Sequence, residues 1–171
     1  LYDDYSHRAK AAGAAAMRVG VHMRPMDLKC TISDKLSEHD LRKWAYQRYI
    51  KDYLRVIASV DDNVGRVLDY LERADIVDDT IVVYTSDQGF FLGDHGWYDK
   101  RFMYEESLRM PFIIRYPREI DAGSVTDDIV TNVDFARTFL DFAGVEAPES
   151  FQGRSFRPIL QGNTPDSWPD S

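Results

Sequence analysis

From Tyr46 to Leu71 the apolar positions Tyr46, Tyr53, Ile57, Val60, Val64, Val67 and Leu71 fall mostly four and three residues apart. That spacing draws one apolar stripe along a helix, while Lys51, Asp52, Arg55, Asp61, Arg66 and Glu72 lie largely off it. Upstream, Ser37 with Asp40 three residues later makes a capping pair, and Glu38 sits where the helix dipole favours negative charge. The stripe is short and the opposite face mixes both signs. This favours a helix packed on a sheet over a coiled coil or a membrane-surface helix. After a turn at Asp78-Asp79 the pattern changes. Thr80-Ile81-Val82-Val83-Tyr84-Thr85 is a β-branched run without polar alternation, which predicts a strand buried on both faces, as in a parallel sheet. Pro111-Phe112-Ile113-Ile114-Arg115-Tyr116 reads the same way and stops at Pro117. Asp121-Ala122-Gly123-Ser124 is a turn, and Val133 to Ala143 is helical with Phe135, Phe139, Leu140 and Phe142 apolar and Gly144 as its stop.

The amino-terminal stretch carries less signal. Ala9 to Val19 predicts a short helix weakened by Gly13 and Gly20, and Pro25 breaks any continuation. Beyond Pro148 the chain is irregular, and from Gly162 it reads as a frayed end. The order helix–strand–loop–strand–helix points to an α/β layer structure. Residues 1–35 read as a linking segment with a short helix, 36–162 as the structured body and 163–171 as a tail.

Composition narrows the function. Across 171 residues, 21 Lys and Arg stand against 29 Asp and Glu, a formal charge of −8 that argues against a nucleic-acid partner. No apolar run approaches the ~20 residues a bilayer span needs. A single cysteine, Cys30, permits neither an internal disulfide nor a multi-cysteine zinc site. The opening Leu1-Tyr2-Asp3-Asp4-Tyr5 has no initiator Met and none of the features of a targeting signal, so the chain reads as a piece of a longer product.

The segment between the two strands, Ser86 to Lys100, is long for a connection and starts at a strand end, where open α/β sheets place their ligands. Asp87 and Gln88 offer a carboxylate and an amide oxygen, hard donors suited to Ca²⁺ or Mg²⁺. Two ligands do not complete a site. Lys100 offers a fixed positive charge for an anionic group. On spacing alone, a simple turn with a surface lysine competes with this reading.

Longer motifs weigh on that choice. Asp79-Thr80-Ile81-Val82-Val83-Tyr84-Thr85-Ser86-Asp87-Gln88-Gly89 resembles the metal-binding strand end of the type I sulfatases, in the alkaline phosphatase superfamily. So does Gly93-Asp94-His95-Gly96, continuing through Lys100-Arg101-Phe102-Met103-Tyr104-Glu105-Glu106-Ser107 to Arg109-Met110-Pro111. Asp61 to Gly65 and Gly153-Arg154-Ser155-Phe156-Arg157-Pro158-Ile159-Leu160 extend the likeness over most of residues 35–162. The resemblance implies the carboxyl-terminal part of the catalytic domain: a partial alkaline-phosphatase-like α/β fold, its mixed or parallel sheet flanked by helices and incomplete without the amino-terminal half.

It further implies that Asp87 and the side-chain oxygen of Gln88 bind Ca²⁺, and that Lys100 is a catalytic and substrate-binding residue at the bridging oxygen of the sulfate ester. His95 is implied as a structural or substrate-binding residue. The family's nucleophile is a formylglycine made within C/S-x-P-S-R. Cys30 is followed by Thr31-Ile32-Ser33, and no Ser-x-Pro-Ser-Arg occurs, so formylglycine is not present in this chain. Nor do Asp3-Asp4 match the family's early acidic pair. The implied function is hydrolysis of a sulfate ester, with a sulfated glycan or small molecule as substrate, by a longer periplasmic or secreted protein. The isolated chain is expected to be inactive. Its partner would be the missing amino-terminal portion or a second copy meeting an uncovered apolar face. A phosphodiesterase or phosphonate hydrolase of the same superfamily is the neighbouring enzyme reading, and a scaffold without chemistry is the third.

Other polar groups read as structural. His7, His22 and His39 have no ligand spacing, and Asp127-Asp128 is a solvated turn. Phe90, Phe91, Trp97 and Tyr98 read as anchors of their loop to the core in preference to the lining of a sugar-binding cleft. Glu105, Glu106 and Arg109, spaced for pairing along one helical turn, read as organisers of the loop.

Overall fold

A computed structural model describes residues 2–32 and 34–169. The chain divides into two compact units, residues 1–70 with 85–112 and residues 71–84 with 113–171. Each is built around its own buried side chains.

The first unit holds helices α1 (Lys10–Ala14) and α2 (Pro25–Leu28) and most of the long α3 (Glu38–Arg73), together with strands β2 (Phe91–Leu92) and β3 (Tyr98–Asp99) and helix α4 (Glu105–Leu108). Helix α3 starts as its capping pair predicts: the Asp40 amide donates to Ser37 Oγ at 3.1 Å and that hydroxyl donates to Asp40 Oδ2 at 2.7 Å. Pro25 does not merely end a helix but opens α2, because the first helical position needs no N–H and suits proline's fixed φ. α1 is confined to five residues, ending before Ala15 turns to extended backbone.

Antiparallel pairing joins β2 to β3, with Phe91 opposite Asp99 and Leu92 opposite Tyr98. Residues 17–19 lie alongside: the Tyr98 amide donates to Met17 O at 2.8 Å and the Val19 amide to Gly96 O at 2.9 Å. Phe91 and Trp97, both fully buried, pack edge-on at 5.2 Å between centroids and share a core with Ala12 and Met17. A second core cluster, Val19, Met23, Leu28 and Ala45, seats the start of α3. These loop aromatics anchor the loop, as expected.

The middle of α3 departs from its expected packing. Ile57, Val60 and Val67 of the stripe are exposed, as are their neighbours Leu54 and Val56; Leu71, at the far end, is buried. The amphipathic pattern set the helix correctly, but no sheet face covers this stretch among the described residues.

The second unit takes all of β1 (Val82–Thr85) but its last residue and all of β4 (Phe112–Arg115) but its first, and these strands form a two-stranded sheet among the described residues. Neither is buried on both faces. Tyr84 and Thr85 are exposed, and β4 alternates, with Ile113 turned to solvent, so among the described residues one face of this sheet is left uncovered. A 3₁₀ turn at Asn132–Asp134 leads into α5 (Phe135–Phe142), followed by α6 (Arg157–Leu160). Gly144 stops α5 at φ +66°, with Val145 N–H reaching back to Leu140 O at 2.9 Å.

Asp134 ties this unit together. Its Oδ2 accepts from the Thr131 amide and hydroxyl, both at 2.8 Å, and its Oδ1 accepts from the Arg154 amide at 2.8 Å. Asp134→Ala should destabilise the unit by about 2 kcal/mol, read as a lower urea midpoint, because a buried acceptor that takes three part-buried donors is removed. The carboxyl-terminal stretch is not frayed as far as residue 169. Trp168 is buried and its indole N–H donates to Ile129 O at 2.9 Å. The Asp127-Asp128 turn is likewise engaged, since Asp128 accepts the Thr126 and Thr164 hydroxyls.

Candidate active site

The chain leaves β1 at Thr85 and makes a tight bend in which Ser86 Oγ donates to Gln88 O at 2.9 Å. Gly89 follows because nothing larger fits. A Cβ there would lie 2.2 Å from Glu106 O and 3.0 Å from Arg109 O, both backbone atoms that cannot swing aside. The close approach is used twice. The Gly89 amide donates to Ser107 O at 3.0 Å, and Gln88 Nε2 donates to the same carbonyl at 3.1 Å. A carbonyl only accepts, so the amide of Gln88 is oriented unambiguously, and its Oε1 is left for another partner.

Asp87 is exposed, and among the described residues its carboxylate enters no hydrogen bond or ion pair. Lys100 is also exposed and unpaired on the same terms. Their neighbours are committed: Asp94 Oδ2 accepts from the Leu92 amide at 3.1 Å, and Asp99 pairs with Arg101 at 2.7 Å. The register that sets Phe91 opposite Asp99 puts Lys100 at the same open end of the hairpin as Phe90, with Asp87 and Gln88 just beyond. Lys100 follows directly on the last paired residue of β3, and Gln88 lies three residues before the first paired residue of β2. Asp99 precedes the lysine at φ +75°, a left-handed conformation that a non-glycine residue keeps only under constraint.

His95 lies in the turn at the hairpin's other end, between Gly93 at φ +110° and Gly96 at φ +76°. Arg8 Nη2 approaches its Nδ1 at 2.9 Å. A guanidinium only donates, so Nδ1 accepts and the ring proton sits on Nε2, which is 3.2 Å from Glu106 Oε1. Arg8 in turn donates through Nε to Asp3 Oδ2 at 2.9 Å, and the Tyr5 hydroxyl donates to His95 O at 2.7 Å. The Tyr5 amide and the Arg8 guanidinium hold the Asp3 carboxyl below the usual carboxylate range. Asp3 and Arg8 had no spacing to mark them, because their contacts with His95 join segments nearly ninety residues apart. Glu105 and Arg109 form no ion pair among the described residues; it is Glu106 that is engaged.

The donor chemistry fits a hard divalent ion. Asp87 brings an unpaired carboxylate, and Gln88 an amide oxygen held ready by its own N–H. Among the described residues no three His, Cys, Asp or Glu side chains cluster as a metal site, so these two oxygens form at most part of one.

Comparison with known proteins bears on the whole arrangement. The family described as N-sulphoglucosamine sulphohydrolase, C-terminal, matches residues 93–171. An N-acetylglucosamine-6-O-sulfatase of Bacteroides thetaiotaomicron is 61% identical over 130 residues, which is 75% of this chain and 23% of that protein. The chain belongs to the sulfatase family. The Drosophila melanogaster extracellular sulfatase SULF-1 homolog is 44% identical over 69% of this sulfatase chain and 11% of its own length. Among solved structures, BT4656 in complex with its substrate D-glucosamine-2-N,6-O-disulfate superposes with a TM-score of 0.91 and 42% identity. That match covers 98% of this chain and 42% of BT4656. A phosphonate monoester hydrolase from Silicibacter pomeroyi follows with a TM-score of 0.74 and 31% identity, over 88% of this chain and 29% of its own. The chain therefore spans less than half the length of each of these proteins, and corresponds to a carboxyl-terminal part of the sulfatase α/β domain. No helix among the described residues is long and apolar enough to cross a membrane.

Proposed function

We propose that this segment serves a longer, exported sulfatase that hydrolyses sulfate esters on a glucosamine-containing glycan. The observation that carries the reading is the set of uncommitted groups at the open end of the hairpin: Asp87, the Gln88 oxygen and Lys100. Asp87 and Gln88 would hold Ca²⁺, which when bound neutralises charge on the sulfate. Lys100 does its work through its own ammonium group, donating to the bridging oxygen as negative charge builds on the departing alcohol. The nucleophile, formylglycine in this family, and the remaining ion ligands come from residues outside the chain. The uncovered stripe of α3 supports burial against that same remainder of the protein.

The sulfated-glucosamine assignment draws on the substrates named for the Bacteroides relatives. Likeness to a phosphonate monoester hydrolase supports a second reading, phosphonate ester hydrolysis at the same site. One experiment sorts these. The full-length protein, its Lys100→Ala variant and the isolated 171-residue chain are assayed with glucosamine-6-sulfate, an activated aryl sulfate and a phosphonate monoester. The full-length protein should prefer the sulfates, and the isolated chain should be inactive. Lys100→Ala should lower kcat about 10²-fold on the sugar sulfate and less on the aryl sulfate, whose leaving oxygen needs little help. An equal effect on both sulfates would remove the lysine from the leaving-group side, and a preference for the phosphonate would favour the second reading.

A further inference from the structure

We infer that Glu106 is a positioning residue for the cation site: held by His95, it fixes the α4 turn whose Ser107 carbonyl aims the Gln88 oxygen. The inference rests on the calcium reading above and adds residues that reading does not use. Ser107 O is a double acceptor, taking the Gly89 amide at 3.0 Å and Gln88 Nε2 at 3.1 Å. Gln88 can present Oε1 outward only while that carbonyl stays where it is. An amide side chain released from it would rotate freely and lose the entropy advantage of a preset ligand.

The carbonyl's position is not secured by α4 alone, which is four residues long. Too short a helix is marginal by itself. Two contacts hold it from outside. The backbone of Gly89 lies against Glu106 and Arg109 so closely that no Cβ fits. On the other side Glu106 Oε1 meets His95 Nε2 at 3.2 Å, and the opposite ring nitrogen is fixed by Arg8, itself paired with Asp3 at 2.9 Å. His95 is further packed among Phe91, Trp97 and Tyr104, with centroids 6.1, 5.7 and 5.1 Å away. A chain of contacts thus runs from Asp3 through Arg8 and His95 to Glu106, and across one peptide to the acceptor of Gln88. His95 acts in it through the Glu106 carboxylate, as a support for the ligand-bearing turn.

The test measures Ca²⁺ binding by calorimetry in the full-length protein, with Asp87→Ala as the control. Glu106→Ala should weaken Ca²⁺ about 10-fold, the effect expected when a ligand loses its support. Glu106→Gln, which keeps an oxygen toward His95, should stay within about threefold. A merely structural role would lower the melting temperature of both variants without separating them in calcium affinity. Should Glu106→Ala lose its near-ultraviolet circular dichroism, His95→Asn breaks the same contact from the other side and is judged by the same criterion. If the unmodified protein takes up no Ca²⁺, or Asp87→Ala binds it equally well, the calcium reading itself falls. If Asp87→Ala abolishes binding while Glu106→Ala binds as tightly as the unmodified protein, the positioning inference alone is overturned.

Discussion

Asp87→Ala in the full-length protein is expected to lower kcat/KM for sulfate-ester hydrolysis by about 10³-fold and to strip calcium from the purified enzyme. The same substitution should leave the fold alone. Asp87 is exposed and makes no hydrogen bond or ion pair among the described residues, so its removal takes nothing from the packing. Thermal stability of the calcium-free protein should change by no more than about 0.5 kcal/mol. The separation of the two readouts is the informative part. A carboxylate serving the turn would show the reverse: a loss of stability with calcium retained. Activity within twofold of the unmodified enzyme, at unchanged calcium content, would end the assignment of Asp87 as a ligand.

Gly89→Ala should produce the complementary result. The added carbon would sit 2.2 Å from Glu106 O, 2.9 Å from Ser107 C and 3.0 Å from Arg109 O. All three belong to the backbone, so no side-chain rotation relieves the clash. The bend must move away from α4, giving up both donations to Ser107 O. The expected cost is about 3 kcal/mol, seen as a lower urea midpoint. Calcium affinity should fall with it, because the Gln88 amide loses its anchor. Substitution at Gly123 makes a clean contrast: it also has a positive φ, +77°, but nothing lies within 4 Å of its would-be Cβ. There only the modest strain of a left-handed alanine remains, about 1 kcal/mol. A Gly89→Ala protein as stable as the Gly123→Ala one would show that the close approach to α4 is relieved at little cost.

Some of this architecture was written in local sequence. The capping of α3 by Ser37 and Asp40 and the glycine stop after α5 follow from short-range chemistry, and the structure has both. Strand positions at Thr80–Thr85 and Pro111–Tyr116 were legible from β-branched runs, but their burial was not, because burial depends on which layers lie over a strand. The stripe of α3 fails for the same reason. Periodicity states which side of a helix is apolar and is silent on what covers it. At the candidate site, Asp87, Gln88 and Lys100 stood out by residue type and by resemblance to the sulfatases. The register of a two-pair hairpin then set Lys100 at the end nearest the other two. Glu106 was legible as an organiser of the loop but not as the partner of His95, and Asp3 and Arg8 were invisible, since nothing in their own neighbourhood records a contact with that ring.

The indole of Trp168, tucked under the Ile129 carbonyl, gives the molecule a built-in reporter. The two other tryptophans, Trp44 and Trp97, belong to the unit that carries the hairpin, whereas Trp168 belongs to the other. Variants retaining one indole at a time would let fluorescence follow the melting of each unit by itself. Losses at Asp134 could then be told from losses at Gly89 by which single-indole variant shifts its emission at the lower temperature.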